Sequence, residues 1–324
     1  MNILVAGIGG ASLGTEIIKS LQHAGKYTVY GCDISEYAYG HFQGIQTFNV
    51  SKERYIEDVK AICKRYDIDA IIPGAEGSLK LLIEATINAH IASNSLEVVD
   101  ICSNKDMLFR RLKRLKLPTP FTTVITNPIQ VLDVPYPCVI KPATGTGGSH
   151  LVFLASATEE AVLYTSYVLK HTEIVMLQEY IPLDEGEFTV GVLTLGNKTH
   201  SIAMQRLFHS KLSIRSETEH GLISSGYSQG VIDDFPEIRK QAEVYAQALG
   251  STGPMNIQGR VKDGVLYPFE INPRFSASTY LRTLAGFNEI DMYLQFVLNE
   301  VSPPETPIKR GLYLRSFTEV VTEK

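Results

Sequence analysis

Apolar and polar positions in the first hundred residues switch repeatedly between two periods. Ile3–Ile8 is an almost continuous apolar run that predicts a buried strand, and Ser12–Ala24 sets Leu13, Ile17, Ile18 and Leu21 at helical spacing. The alternation continues with strands predicted over Tyr27–Cys32 and Asp69–Pro73 and helices over Lys52–Tyr66 and Ser78–Ala92. Strands separated by helices of this length imply βαβ units and a parallel sheet, which presents ligands beyond the carboxyl ends of its strands. Ser103 reads as the N-cap of a helix over Asn104–Leu115 that Pro118 and Pro120 stop, so a first unit ends near residue 103.

The pattern then becomes strand-rich. Strands are predicted over Phe121–Ile125, Cys138–Lys141, Leu151–Leu154 and Ile174–Gln178, with one helix over Glu159–Lys170 among them. Longer strands follow at Gly186–Leu195 and His200–Phe208, then a helix over Pro236–Leu249 and a hairpin over Met255–Ile271. Helices near Ser278–Ala285 and Glu289–Asn299 and a tail strand near Leu312–Ser316 complete the reading. The expected fold class is α/β for the first unit and α+β for the rest.

Composition narrows the function. At 324 residues, 44% hydrophobic, the chain has enough core for two or three units without a disulfide or metal staple. A net charge of −5 with no long basic run lacks the footprint of duplex nucleic-acid binding. Cys32, Cys63, Cys102 and Cys138 form no CxxC pair, which argues against a zinc site and for reduced thiols. No apolar stretch approaches about 18 residues. No basic segment precedes the strand-like start either, so a soluble cytoplasmic protein with no membrane partner is expected.

Two glycine loops invite phosphate chemistry. Gly7-Ile8-Gly9-Gly10 with Gly14 and a later Asp33 has the outline of a dinucleotide fingerprint, but the same glycines serve any tight strand-to-helix turn. The second loop carries more. Val139-Ile140-Lys141-Pro142 ends an apolar strand on a lysine, and Thr144-Gly145-Thr146-Gly147-Gly148-Ser149 follows with small residues whose N–H groups can wrap phosphate oxygens. The bland alternative is a plain hairpin with Lys141 snorkelling to solvent.

The hairpin holds the densest chemistry. Met255–Arg260 and Leu266–Arg274 alternate, and a three-residue turn at Lys262-Asp263-Gly264 pairs Asn256 with Glu270 and Arg260 with Leu266. Asn256, Gln258, Arg260, Glu270, Asn272 and Arg274 then share one face opposite Met255, Ile257, Val261, Phe269 and Ile271. A two-residue turn would split Gln258 from Glu270. Oxygen ligands two residues apart on a strand suit Mg²⁺, and Arg274 is placed to stabilise a transferring phosphoryl group. A solvated polar face is the alternative.

Ser103-Asn104-Lys105, Val139–Pro142, the loop 144–149, Gln178-Glu179-Tyr180-Ile181, Gly186–Val190, Asn256-Ile257-Gln258 and Phe269–Arg274 occur in one order over nearly the whole chain. Together they resemble the ATP-grasp superfamily, in particular the ATP-grasp unit of the carbamoyl-phosphate-synthase large subunit. The resemblance implies a Rossmann-like pre-ATP-grasp domain over 1–103 and a two-lobed ATP-grasp fold over 104–324, with a lid lobe at 118–180 and a large lobe at 181–324. It implies that Lys105 and Lys141 hold ATP phosphates under a lid of Thr144, Gly145, Gly147, Gly148 and Ser149. Backbone at Glu179, Tyr180 and Ile181 would read adenine, and Glu187 the ribose. Glu270, Asn272 and Gln258 are the implied metal ligands, for two Mg²⁺ ions with Mn²⁺ as an alternative, and Arg274 the arginine near the γ-phosphate.

The implied reaction activates a carboxylate as an acylphosphate and joins it to an amine or ammonia, with ADP and phosphate released. The sequence holds one grasp unit and no glutaminase motif, which favours a stand-alone carboxylate–amine ligase over phosphorylation of bicarbonate or carbamate. Substrate residues are less legible. Glu76 lies where a parallel sheet presents ligands, to meet an amine or to cap a helix near Ser78. In the polar stretch Gln205–Gly230, Arg206 or Arg215 is a candidate anchor for a substrate carboxylate, with a solvated loop as the rival reading. The expected partners are small carboxylate and amine substrates; a homo-oligomer is compatible with the sequence.

Overall fold

A computed structural model describes residues 1–9, 13–144, 150–304 and 307–321. The first unit runs β1 (Asn2–Ala6), α1 (Leu13–Ala24), β2 (Thr28–Asp33), β3 (Gln46–Asn49), α2 (Tyr55–Tyr66), β4 (Ala70–Pro73), α3 (Glu76–Glu84) and β5 (His90–Ile91). Its sheet is parallel in the order β3-β2-β1-β4-β5. Strand order reverses between β1 and β4, so Gly7 after β1 and Glu76 at the start of α3 after β4 flank the crevice where such sheets bind ligands.

The first glycine loop is a packing device. A Cβ at Gly14 or Gly74 would lie 1.9 or 2.0 Å from the Gly7 carbonyl oxygen, so backbone meets backbone there. The Asp33 carboxylate accepts the N–H groups of Ile8 (2.7 Å) and Ser35 (3.0 Å), which employs it within the turn itself. These contacts account for Gly7, Gly14 and Asp33 as parts of a tight strand-to-helix turn, whereas Gly10 lies outside the described residues.

The helix predicted over Ser78–Ala92 stops at Glu84 because the following segment adds β5 to the sheet edge, with His90 and Ile91 opposite Ala70 and Ile71. Ser103 is the last residue of α4 (Leu96–Ser103), not a cap; Asn104 takes that role for α5 (Lys105–Arg114), its Oδ1 accepting Met107 N–H at 3.1 Å.

The lid lobe is an antiparallel sheet in the order β6-β9-β7-β8, from β6 (Thr122–Ile125), β7 (Cys138–Pro142), β8 (Phe153–Ala155) and β9 (Val175–Glu179), with α6 (Thr158–Val168) packed on it. The remaining elements are β10 (Glu187–Leu195), β11 (Lys198–Arg206), β12 (Ile214–Thr218), β13 (Gly221–Ser224), β14 (Gly230–Asp233), α7 (Pro236–Ala248), β15 (Pro254–Lys262), β16 (Val265–Asn272), α8 (Thr279–Leu284), α9 (Glu289–Asn299) and β17 (Gly311–Tyr313). The large sheet is antiparallel in the order β16-β15-β10-β11-β14-β17. The stretch Gln205–Gly230, predicted as a loop, instead contains the two-stranded ribbon β12–β13.

One face of the large sheet is core. Phe188, Val190, Val192, Met255, Ile257 and Val261 pack with α7 and with Val98, Cys102, Leu108 and Leu112 of α4 and α5. The period-2 alternation then leaves Glu187, Thr189 and Gly191 of β10 beside Arg260, Gln258 and Asn256 of β15 on the opposite face. Among the described residues no helix is long and apolar enough to cross a membrane.

The β15–β16 hairpin departs from its expected register. Its turn is the two-residue Asp263-Gly264, with φ of 53° and 71°, and pairs Lys262 with Val265. Positive φ at both central residues matches the right-handed twist of a hairpin, which is why Asp-Gly won over the longer turn. That register alone would separate Gln258 from Glu270. A β-bulge returns the two to one face and sets them opposite each other: Gly259 faces Pro268 while Gln258 faces Glu270, so Phe269 is the extra residue and Asn256 faces Asn272 instead of the expected Glu270.

A buried asparagine that the sequence pattern did not single out pins the two units together. Asn94 Nδ2 donates to the carbonyls of Pro254 (2.6 Å) and Pro273 (3.2 Å), and its Oδ1 accepts from Ser251 Oγ, Thr252 N–H and Gly253 N–H. Replacing Asn94 by Ala strands those groups, and a loss of about 3 kcal/mol is expected, read as a lowered urea midpoint of the full chain.

Candidate active site

Between the lid lobe and the polar face of the large sheet lies a cleft of about 710 Å³. Lys105, Lys141, Glu179, Tyr180, Ile181, Glu187 and Glu270 all line it, although they come from six different elements and connections. Thr144 forms an isolated bridge with Asn104, and Lys105 N–H donates to Ala143 O at 2.9 Å, so the lid strand and the start of α5 are tethered beside the cleft. Gly145, Gly147, Gly148 and Ser149 lie outside the described residues.

Lys141 does not snorkel; it is only 6% exposed. Its Nζ donates to Gln178 Oε1 (2.8 Å) and to the carbonyl of Phe269 (3.0 Å), the bulge residue that has no partner across the hairpin. Burial pulls its pKa down to about 7, Lys105 pushes the same way, and Glu270 opposes both. Among the described residues this buried amine has no ion-pair partner, and an arriving polyanion would favour its charged form.

The connection from β9 to β10, where the resemblance implies a hinge, is held by backbone bonds and stacking. Glu179 uses its carboxylate to accept Phe121 N–H at 3.0 Å, and Tyr180 O–H accepts Leu222 N–H at 3.0 Å. The Arg260 guanidinium lies 4.5 Å from the Tyr180 ring centroid and donates to Ile181 O at 2.9 Å. Ile181 N–H has no partner among the described residues and remains a donor at the cleft.

Glu187 and Arg206 form one buried ion pair, and of the two Arg206 departs from its expected role. Glu187 is fully buried and gives one oxygen to Arg206 Nη1 (2.8 Å) and the other to Arg260 Nε (2.9 Å). Arg206 is not a substrate anchor: its side chain is inaccessible and its Nη2 holds the carbonyls of Ser225 (2.9 Å) and Tyr227 (3.2 Å). An arginine on the inward face of a central strand needs a buried counter-charge, and Glu187 is its register neighbour across β10 and β11.

Gln258 Nε2 donates to Glu270 Oε2 at 3.2 Å, with Asn272 next on the same strand face. Asn256 is diverted, its Oδ1 accepting from Arg282 Nη2 (2.6 Å) and Thr189 Oγ1 (3.0 Å). Among the described residues no three His, Cys, Asp or Glu side chains cluster to hold a metal. One carboxylate with amide oxygens is a hard, weakly charged donor set. It fits Mg²⁺ sharing its shell with phosphate oxygens and water, and does not fit zinc.

Glu270 also lines a second cleft, with Glu76, Asn272, Arg274 and Arg215. Here Arg274 Nη2 is hydrogen-bonded to Glu76 Oε1, across the junction of the two units, and Arg274 Nη1 donates to Phe275 O at 2.9 Å. Burial raises the Glu76 pKa, but Arg274 and then Lys105 outweigh it and leave the carboxyl below its ordinary range. Glu76 is the first residue of α3 and caps nothing; it faces the cleft.

Residues 102–278 match the family model of the ATP-grasp domain, and residues 3–99 match that of the PylC-like N-terminal domain. The carbamoyl phosphate synthase large chain of Neisseria meningitidis serogroup B is 26% identical over 281 residues, covering 80% of this chain and 26% of its own length. The chain spans a similarly small share, 24%, of the Pasteurella multocida large chain. The formate-dependent phosphoribosylglycinamide formyltransferase of Sulfurisphaera tokodaii is 27% identical over 318 residues, 91% of this chain and 76% of its own. Among solved structures, an ADP complex of N5-carboxyaminoimidazole ribonucleotide synthetase superposes with a TM-score of 0.70 at 16% identity, over 96% of this chain and 79% of that one. The D-alanine–D-alanine ligase of Bacillus anthracis gives 0.62 at 18% identity, over 93% and 98%. At these identities the structural likeness is one of fold.

The electrostatics of the first cleft can be measured directly. In an NMR titration of lysine Nζ, Lys141 is expected to titrate near pH 7. Lys105→Met should raise that pKa by removing a like charge, and Glu270→Gln should lower it by removing an opposite one.

Proposed function

This chain belongs to the ATP-grasp family, and on that premise we propose that it is an ATP-dependent ligase. It activates a carboxylate as an acylphosphate and joins it to an amine or ammonia, releasing ADP and phosphate. The observation that carries the reading is the position of Glu270, which lines both the lysine-bearing cleft and the Glu76–Arg274 cleft. A nucleotide in the first then ends where a second substrate in the other begins, as phosphoryl transfer requires.

The adenine sits at the hinge, with Ile181 N–H as an available donor. Glu187 contributes to the sugar end through a carboxylate already fixed by Arg206 and Arg260. Lys105 and Lys141 hold the phosphates. Glu270 and Asn272, with Gln258, would hold Mg²⁺, which when bound neutralises phosphate charge. Arg274 turns from Glu76 to the phosphoryl group or the reacting carboxylate, and Glu76, relieved of that charge, faces the incoming amine. The family's two lobes exclude water from the acylphosphate when they close.

The test is ADP release from Mg-ATP with pairs of small acids and amines. Release is expected only with both substrates present; release with bicarbonate and no amine would favour a phosphotransferase instead. Arg274→Ala should lower kcat by about 10²-fold or more while ADP still binds. Unchanged turnover in Glu270→Ala would mark the chain as a nucleotide-binding scaffold.

Proton linkage provides a second check. Bound polyphosphate favours charged Lys141, so its pKa rises on binding and, above pH 7, ADP binding takes up protons. Affinity should fall as pH rises past 7, by at most about tenfold per pH unit, and should level off below it. Calorimetry in buffers of different ionisation enthalpy would report the uptake, and Lys141→Met should abolish it.

A further inference from the structure

Two cations of the second cleft have no part in the reaction above. Lys211, opening the short turn Lys211–Ser213, and Arg215, on β12, line the cleft that holds Glu76 and Arg274. Arg274 is balanced by Glu76, whereas neither Lys211 nor Arg215 has an ion-pair partner among the described residues.

The arm that bears them is fixed to the sheet. Ser225 N–H donates to Ser213 O at 2.9 Å and Ser225 Oγ to Leu212 O at 2.5 Å, which ties the turn to residues 225–227. Arg206 holds the carbonyls of Ser225 and Tyr227, and Glu187 holds Arg206. A chain of bonds from the buried sheet thus keeps two like charges on one cavity. Leu13, Leu212, Ile214 and Tyr227 add apolar surface to the same lining.

Both side chains are exposed on the lining of one cleft, and cations so placed raise the local concentration of an anion there. Resting on the ligase reading, we propose that this cleft takes a substrate on an aliphatic frame whose second carboxylate, remote from the reacting centre, is held by Lys211 and Arg215. The guanidinium provides a planar two-point contact and the ammonium a third. Arg274 is left to the reacting group. The remote carboxylate belongs either to the acid or to the amine, and the two sources are separable.

The experiment is calorimetric titration of the full chain saturated with Mg²⁺ and a non-hydrolysable ATP analogue. Glutarate against its half-amide probes the acid side, and γ-aminobutyrate against γ-aminobutyramide the amine side. In at least one pair the carboxylate should bind about tenfold or more tightly than its amide, a difference of roughly 1.4 kcal/mol. In the K211Q/R215Q double variant that gap should close to within about twofold. Equal affinities within both pairs, a gap that survives in the variant, or no binding of any probe would overturn the proposal. Failure of the wild-type chain to bind the analogue would sink the ligase reading itself.

Discussion

Two arginines share one buried carboxylate on the polar face of the large sheet. Glu187 binds Arg206 through one oxygen and Arg260 through the other, and none of the three is more than 5% exposed. Removing one partner from such a set strands a buried charge, at about 3–5 kcal/mol. The outer ends of the two guanidinium groups explain why the arrangement persists. Arg260 fastens Ile181 and Leu222, and Arg206 fastens Ser225 and Tyr227. The hinge, the β12–β13 arm and the segment bordering the second cleft are therefore referenced to one point on the sheet.

The second constraint is a single extra residue. With a two-residue turn and no bulge, Gln258 and Glu270 would not face one another. The bulge at Phe269 corrects the phase and, because that residue is unpaired across the hairpin, frees its carbonyl for Lys141. One backbone irregularity thus aligns the oxygen-bearing side chains and binds the lysine opposite them. Bulges commonly re-aim side chains beside active sites, and this one acts on both walls of the cleft.

The junction of the two units makes the second cleft. Glu76 comes from the switch point of the parallel sheet and Arg274 from the connection after β16, and Asn94 holds the Pro273 carbonyl immediately before Arg274. The Rossmann-like unit therefore contributes a wall and a charged residue to the site. Its first glycine loop packs backbone against backbone at Gly7, Gly14 and Gly74.

Much of this was legible in the residues alone. Period-2 alternation in β10 and β15 separated a core face from a polar one, because a strand's side chains alternate whatever surrounds it. The motifs placed Lys105, Lys141, Glu179, Glu187 and Glu270 in order, and short-range chemistry located most strands and helices. What the chain could not reveal locally was partner choice. Arg206 read as a ligand and is a foundation; Asn94 carried no signal because its five partners lie about 160 or more residues away. Register also escaped, since a turn one residue shorter and a bulge one residue longer leave the hydrophobic pattern nearly unchanged. Alternation is a property of the backbone and is written in sequence; the pairing of buried charges depends on distances that exist only once the sheets are packed.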